Sequence, residues 1–90
     1  MIVIDASAAL ELLLQTQKGM AVSDLALATH ERLHAPYLID IEVTQTLRRL
    51  TLGKHLAVNR AEEALVDFSM LAVERHEHRS LMNRVWELRE

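Results

Sequence analysis

Ninety residues without a cysteine and with a formal net charge of −3 describe one small domain that lacks disulfides and thiolate metal sites. The negative charge excludes nucleic-acid binding through bulk positive charge, so contact with RNA or DNA needs a local patch or a bridging cation. The apolar stretches fall far short of the roughly 20 residues of a membrane span, and the start of the chain has no basic signal-peptide region. We therefore expect a cytoplasmic protein that does not enter a membrane.

The spacing of apolar residues predicts the element order β-α-α-β-α-α-β-α. Strands are predicted over about 2–5, 33–35 and 70–74. Helices are predicted over about 6–15, 17–29, 36–52, 58–69 and 77–90. Strands that alternate with helices are typical of an α/β fold with a parallel sheet and crossover helices.

Four residues mark the expected helix ends. Thr16 and Asn59 are the candidate N-caps of the second and fourth helices. Gly53 is placed to end the third helix, and Pro36 to precede or begin it.

Asp5 lies where the first strand passes directly into the first helix. The apolar run Ile2-Val3-Ile4 ends on this aspartate with no turn residues between strand and helix. The carboxyl end of a buried parallel strand is the place where α/β proteins bind ligands. An N-cap role, worth about 1 kcal/mol, also explains the residue, so both interpretations stand at this point.

The third helix carries two acids near its apolar face. Its packed positions are Ile39, Val43, Thr46, Leu47 and Leu50. Asp40 and Glu42 lie at opposite margins of that face, and the helical periodicity does not choose between them. Asp40 is explained as a first-turn acid that complements the helix dipole. Glu42 lies beside the apolar stripe, where a carboxylate requires a partner or solvent.

Converging carboxylates suit one chemistry in particular. Two such groups repel each other, and a hard divalent cation relieves the repulsion. Mg²⁺ accepts one or two carboxylates and keeps several waters, which is the arrangement that metal-assisted phosphodiester cleavage requires. Ser7 is placed either to contact such a water or a phosphate, or to act as an additional cap.

The sequence resembles a PIN domain, and within that family the VapC-type toxins of bacterial toxin–antitoxin pairs. The resemblance begins with MIVIDASA at 1–8 and continues through HAPYLIDIEV at 34–43 and LRRL at 47–50. It extends through RAEEAL at 60–65 and VWELR at 85–89, and so covers essentially the whole chain.

The resemblance implies a Mg²⁺- or Mn²⁺-dependent endoribonuclease with an α/β/α three-layer fold. In it Asp5 and Glu42 are catalytic metal ligands, and Ser7 is the small hydroxyl residue beside the first acid. Such toxins usually form homodimers and are silenced by a cognate antitoxin that covers the site.

The family pattern continues beyond this helix with further acids and strands that have no counterpart here. Residues 1–90 are therefore expected to be a single PIN-like domain, incomplete at about three short strands and five helices. The alternative function is a non-catalytic module that binds an antitoxin or its own copy through exposed apolar surface.

Histidines and basic residues give weaker signals. His76-Glu77-His78 has no evident third ligand and is interpreted as a polar loop. The other histidines are interpreted as surface residues; they are His30, His34 and His55. A basic cluster ends the third helix, where it favours the helix dipole or contacts RNA backbone; it consists of Arg48, Arg49 and Lys54.

Overall fold

The computed structural model describes residues 2–87 and Arg89, and over this part of the chain the predicted order of elements is confirmed. The strands are β1 (Ile2–Val3), β2 (Leu33–Pro36) and β3 (Val73–His76). The helices are α1 (Ala6–Leu13), α2 (Gln17–Thr29), α3 (Ile39–Leu52), α4 (Val58–Met70) and α5 (His78–Glu87). None of these helices is long and apolar enough to cross a membrane.

The three strands form a parallel sheet in the order β1-β2-β3. In the register of the sheet, Ile2 is paired with Leu33, and Leu33 is paired with Val73. Because the strands run in the same direction, their carboxyl ends meet at one edge of the sheet. The sheet therefore presents the residues that follow β1 and β2 side by side.

Helices pack on both faces of the sheet. On one face, Ile4, Ala35 and Val73 join a core with α1, α3 and α4. The helical residues of this core are Ala9, Leu10, Leu13, Ile39, Val43, Leu47, Ala61, Ala64 and Phe68. Alternate strand residues point to the other face, where α5 contacts β2. The layers α/β/α agree with the predicted fold class.

Helices α1 and α2 approach each other closely at Gly19. A Cβ atom at this position would overlap the backbone of Glu11 in α1. The predicted cap Thr16 is confirmed, since its hydroxyl accepts the Gly19 N–H at 3.2 Å and also bonds the Glu11 carboxylate. The short turn between the helices is completed by Gln15 in the left-handed region, with a φ of 57°. Glycine thus sets the distance between the helices.

Some predicted boundaries are wrong. Pro36 belongs to β2 and so precedes α3, which starts only at Ile39, because hydrogen bonding to β3 continues to Tyr37, whose N–H donates to the His76 carbonyl. The third strand was predicted over 70–74, but α4 continues to Met70 and pairing with β2 places the strand at Val73–His76.

Differences at helix ends are smaller. Asn59 does not cap α4, which has Ala57 at its N-cap and no capping side chain. Gly53 does end α3, and its N–H donates to the carbonyls of Arg49 and Thr51. Helix α1 ends at Leu13, two residues early. The predicted last helix reaches residue 90; α5 is described as far as Glu87, Arg89 is not helical, and residues 88 and 90 lie outside the described part.

Candidate active site

Asp5 occupies the junction predicted from the sequence. Pairing with β2 continues one residue beyond β1, because the Ile4 N–H donates to the His34 carbonyl at 2.8 Å. Asp5 is itself extended (φ −98°, ψ 178°), and its Oδ1 accepts the Ala8 N–H at 2.8 Å. The residue is therefore the N-cap of α1, and its exposed carboxylate makes no other side-chain hydrogen bond within the described residues.

Glu42 lies in the first turn of α3, directly before the fully buried Val43. The packing of Val43 fixes the rotation of the helix, so Glu42 stands at the border of the core with its side chain exposed. Its carboxylate forms no ion pair within residues 2–87 and Arg89. Glu42 is thus free to accept a ligand.

Asp40, which the sequence left as the alternative acid, is already occupied. Arg75 of β3 donates to it from Nε at 3.0 and 3.1 Å and from Nη2 at 2.8 Å. These hydrogen bonds raise the pKa of the Arg75 guanidinium, which also lies 5.3 Å from the centroid of the Phe68 ring. The structure therefore assigns Asp40 to a fold-stabilising ion pair, which sequence reasoning missed because Arg75 was not placed in a strand.

Asp5 and Glu42 line the same open cleft, which has a volume of about 1170 Å³. Val3 and Pro36 of the sheet and Trp86 of α5 contribute apolar walls. Ser7 is exposed in the first turn of α1 and is not among the residues that line this cleft. The fold thus brings two of the three predicted site residues together at the carboxyl edge of β1 and β2.

The donor set of the cleft suits a hard divalent cation. Both groups are carboxylates, one of them with an oxygen that the helix cap already orients. Mg²⁺ is held in proteins by one or two carboxylates and retains several waters, so an open cleft with two acids is compatible with it. Asp5 and Glu42 are the residues that would hold the ion.

A second group of potential ligands lies on the sheet and was missed at the sequence level. His34 of β2 was interpreted as a surface residue, and His76 as part of a polar loop without a third ligand. In the structure the ligand atoms of both histidines lie within 4.8 Å of a carboxylate oxygen of Glu74. Strand register, which a single sequence does not reveal, is the signal that connects His34 to residues some 40 positions away.

Curated relatives match the chain over almost its full length. It is 40% identical over 89 residues to VapC ribonuclease Mb0985 of Mycobacterium bovis and to ribonuclease VapC9 of Mycobacterium tuberculosis. It is 35% identical over 89 residues to ribonuclease VapC12 of Mycobacterium tuberculosis. These alignments cover 99% of the chain, and they cover 66% of the first two relatives and 67% of the third.

No family model matches the sequence, and no solved structure matches it either. The assignment therefore rests on the curated relatives, whose similarity spans both the Asp5 and the Glu42 segments. At 35–40% identity across 89 aligned residues, the chain belongs to the VapC ribonuclease family.

Proposed function

We propose that this protein is a metal-dependent endoribonuclease, the toxin of a toxin–antitoxin pair, with Asp5 and Glu42 as ligands of Mg²⁺ or Mn²⁺. The observation that carries the proposal is that both acids line one cleft at the carboxyl edge of β1 and β2. Its relatives are named ribonucleases, which supports the reaction class. Ser7 is proposed as a polar assistant that contacts a water or phosphate.

The residues of the cleft have distinct roles in this proposal. A bound divalent cation would supply positive charge for the phosphate and activate water for attack. Asp5 contributes an oxygen whose direction the Ala8 hydrogen bond fixes, and Glu42 contributes a carboxylate without an ionic partner among the described residues. Asp40 stays outside the reaction because Arg75 neutralises it.

Two further residues of the cleft suit a nucleotide. Trp86 is 67% exposed, and the guanidinium of Arg89 lies 4.4 Å from its ring centroid. Aromatic rings stack on bases, and arginine pairs with phosphates. Both residues line the cleft that holds Asp5 and Glu42, which supports RNA as the substrate.

The proposed partners are a cognate antitoxin and a second copy of the chain, in the cytoplasm. Apolar side chains at the protein surface support this association; they include Leu27, Ile41, Leu52, Met70 and Trp86. The same surface supports the alternative function, a non-catalytic module that binds an antitoxin or self-associates.

Cleavage of RNA by the purified chain tests the proposal. Total RNA is incubated with Mg²⁺ or Mn²⁺ and with the variants Asp5→Asn and Glu42→Gln. Asparagine caps a helix as well as aspartate does, so Asp5→Asn removes the charge and keeps α1. We expect each variant to lose about a hundredfold or more in rate, and EDTA to abolish cleavage, because the ion supplies several kcal/mol to the transition state.

The matched control is Glu62→Gln, which removes an exposed acid of α4 outside the cleft. It is expected to cleave at the native rate, whereas Ser7→Ala is expected to lose less than either acid variant. Equal cleavage by native protein, Asp5→Asn and Glu42→Gln would remove the proposed roles. A folded native chain that cleaves no RNA with either ion would favour the binding module.

A further inference from the structure

We propose that His34, Glu74 and His76 form a binding site for a divalent transition-metal ion of the zinc class. The Nδ1 atom of His34 lies 2.7 Å from Nε2 of His76 and 3.7 Å from Oε2 of Glu74. The ligand atoms of all three residues lie within 4.8 Å of one another. None of the three lines the cleft of Asp5 and Glu42, so this site is additional to the proposed active site.

Sheet register explains why the three side chains converge. His34 is directly level with Glu74 across β2 and β3, and His76 lies two residues further along β3. Residues that are level in parallel strands, or two apart in one strand, point to the same face. The ligands therefore come from two rigid, hydrogen-bonded strands.

Arg75, which lies between the two β3 ligands in sequence, points to the other face. There its guanidinium bonds Asp40 and lies over Phe68. The alternation of the strand thus keeps this positive charge away from the histidines, so it does not compete with a cation for Glu74.

The distances are close to those that a tetrahedral ion requires. Zinc binds histidine nitrogen and carboxylate oxygen at about 2.0–2.2 Å, so its ligand atoms lie about 3.3 Å apart. An ion would part the two imidazole nitrogens by roughly 0.6 Å and draw the Glu74 carboxylate about 0.4 Å towards Nδ1 of His34, while the Glu74–His76 separation, which is within 4.8 Å, would also settle near 3.3 Å. These are small side-chain rotations that leave the strands in place.

Ligand type and exposure define the class of ion. Two imidazoles with one carboxylate favour zinc and its transition-metal neighbours, whereas Mg²⁺ prefers a set of oxygens. The His34 side chain is only 15% exposed, which holds its ring in position, while Glu74 is 52% exposed and leaves an entry path. Three protein ligands leave a fourth position for water.

Titration of the native chain with Co²⁺, followed by its visible ligand-field absorption, tests the site. With excess Mg²⁺ present to occupy the cleft of Asp5 and Glu42, we expect one Co²⁺ per chain, displacement of Co²⁺ by Zn²⁺, and a higher midpoint of thermal unfolding with Zn²⁺. His76→Gln and Glu74→Gln should each weaken binding about a hundredfold or more, since even loss of an outer partner of a ligand weakens metal sites by 10–100-fold.

The control His55→Gln removes an exposed histidine in the connection between α3 and α4 and should bind Co²⁺ as the native chain does. Glu74 is exposed, so Glu74→Gln should keep the native circular dichroism spectrum even where a histidine variant fails to fold. Absence of a Co²⁺ site in the native chain would overturn the proposal. So would binding that survives His76→Gln and Glu74→Gln but is lost in Asp5→Asn and Glu42→Gln, because the ion would then lie in the cleft.

Discussion

Asp40 and Glu42 are two acids in one helical turn, and the structure predicts opposite consequences of removing them. Asp40→Asn deletes the charge that Arg75 contacts through three N–O distances of 2.8–3.1 Å. The Asp40 side chain is 47% exposed and that of Arg75 is 26% exposed, so solvent screens the pair. Exposed pairs contribute about 0.2–1 kcal/mol, and this two-pronged geometry belongs at the upper end. We expect a loss of about 1 kcal/mol in the free energy of unfolding, with RNA cleavage intact.

Glu42→Gln should have the opposite effect: stability should be kept and RNA cleavage should be lost. Its carboxylate has no ion pair within the described residues, so the free energy of unfolding should change by no more than about 0.5 kcal/mol. Cleavage should fall about a hundredfold, as the proposed metal role requires.

Urea unfolding followed by circular dichroism measures stability, and RNA cleavage is measured on the same preparations. Thermal unfolding gives a second readout, because about 1 kcal/mol corresponds to a shift of roughly 4–8 °C in a domain of this size. A double-mutant cycle with Arg75→Gln isolates the ion pair, with an expected coupling of about 1 kcal/mol. The reasoning fails if Asp40→Asn abolishes cleavage at native stability, or if Glu42→Gln destabilises the fold while cleavage persists.

Two further predictions concern the stability of the fold. Leu47→Ala should lower the free energy of unfolding by about 2–5 kcal/mol, because the Leu47 side chain is 1% exposed. The control Leu52→Ala changes an exposed residue and should alter the free energy of unfolding by less than about 0.5 kcal/mol. Comparable urea midpoints for the two variants would contradict the assigned core. Gly19→Ala should lower the free energy of unfolding by about 1–3 kcal/mol, because its Cβ would overlap the α1 backbone. In the control Gly53→Ala the new Cβ meets mainly the flexible His55 side chain, so the midpoint of thermal unfolding should stay near the native value. A Gly19→Ala variant more stable than the native chain would show that α1 and α2 are not so close.

The order of elements was predictable because hydrophobic periodicity reports burial directly. Thr16 could be read as a cap because its hydroxyl bonds locally to Gly19, three residues away. The third strand was misplaced because Arg75 and His76 are polar, and their place in the strand depends on pairing with β2 and on Asp40. Long-range pairing of this kind leaves no local signal.

The residues of the candidate site also differ in how far the sequence alone predicts them. Asp5 was found from a local pattern, the passage of a strand directly into a helix. Glu42 needed the family resemblance, because helical periodicity placed it and Asp40 equally near the apolar face. In the structure the two acids are separated by the ion pair of Asp40 with Arg75 and by the position of Glu42 in the cleft, and both depend on the folded sheet.

The capping hydrogen bond of Asp5 has a consequence for how the cleft responds to change elsewhere. Its Oδ1 is tied to the backbone of Ala8, and the following turns of α1 are anchored in the core through Ala9, Leu10 and Leu13. The carboxylate is therefore no freer to reorient than the helix that it starts. Its direction is set before any ligand arrives, so binding loses little conformational entropy at this group. Core substitutions that move α1 should therefore change the orientation of the Asp5 carboxylate in the cleft, even when they lie far from it.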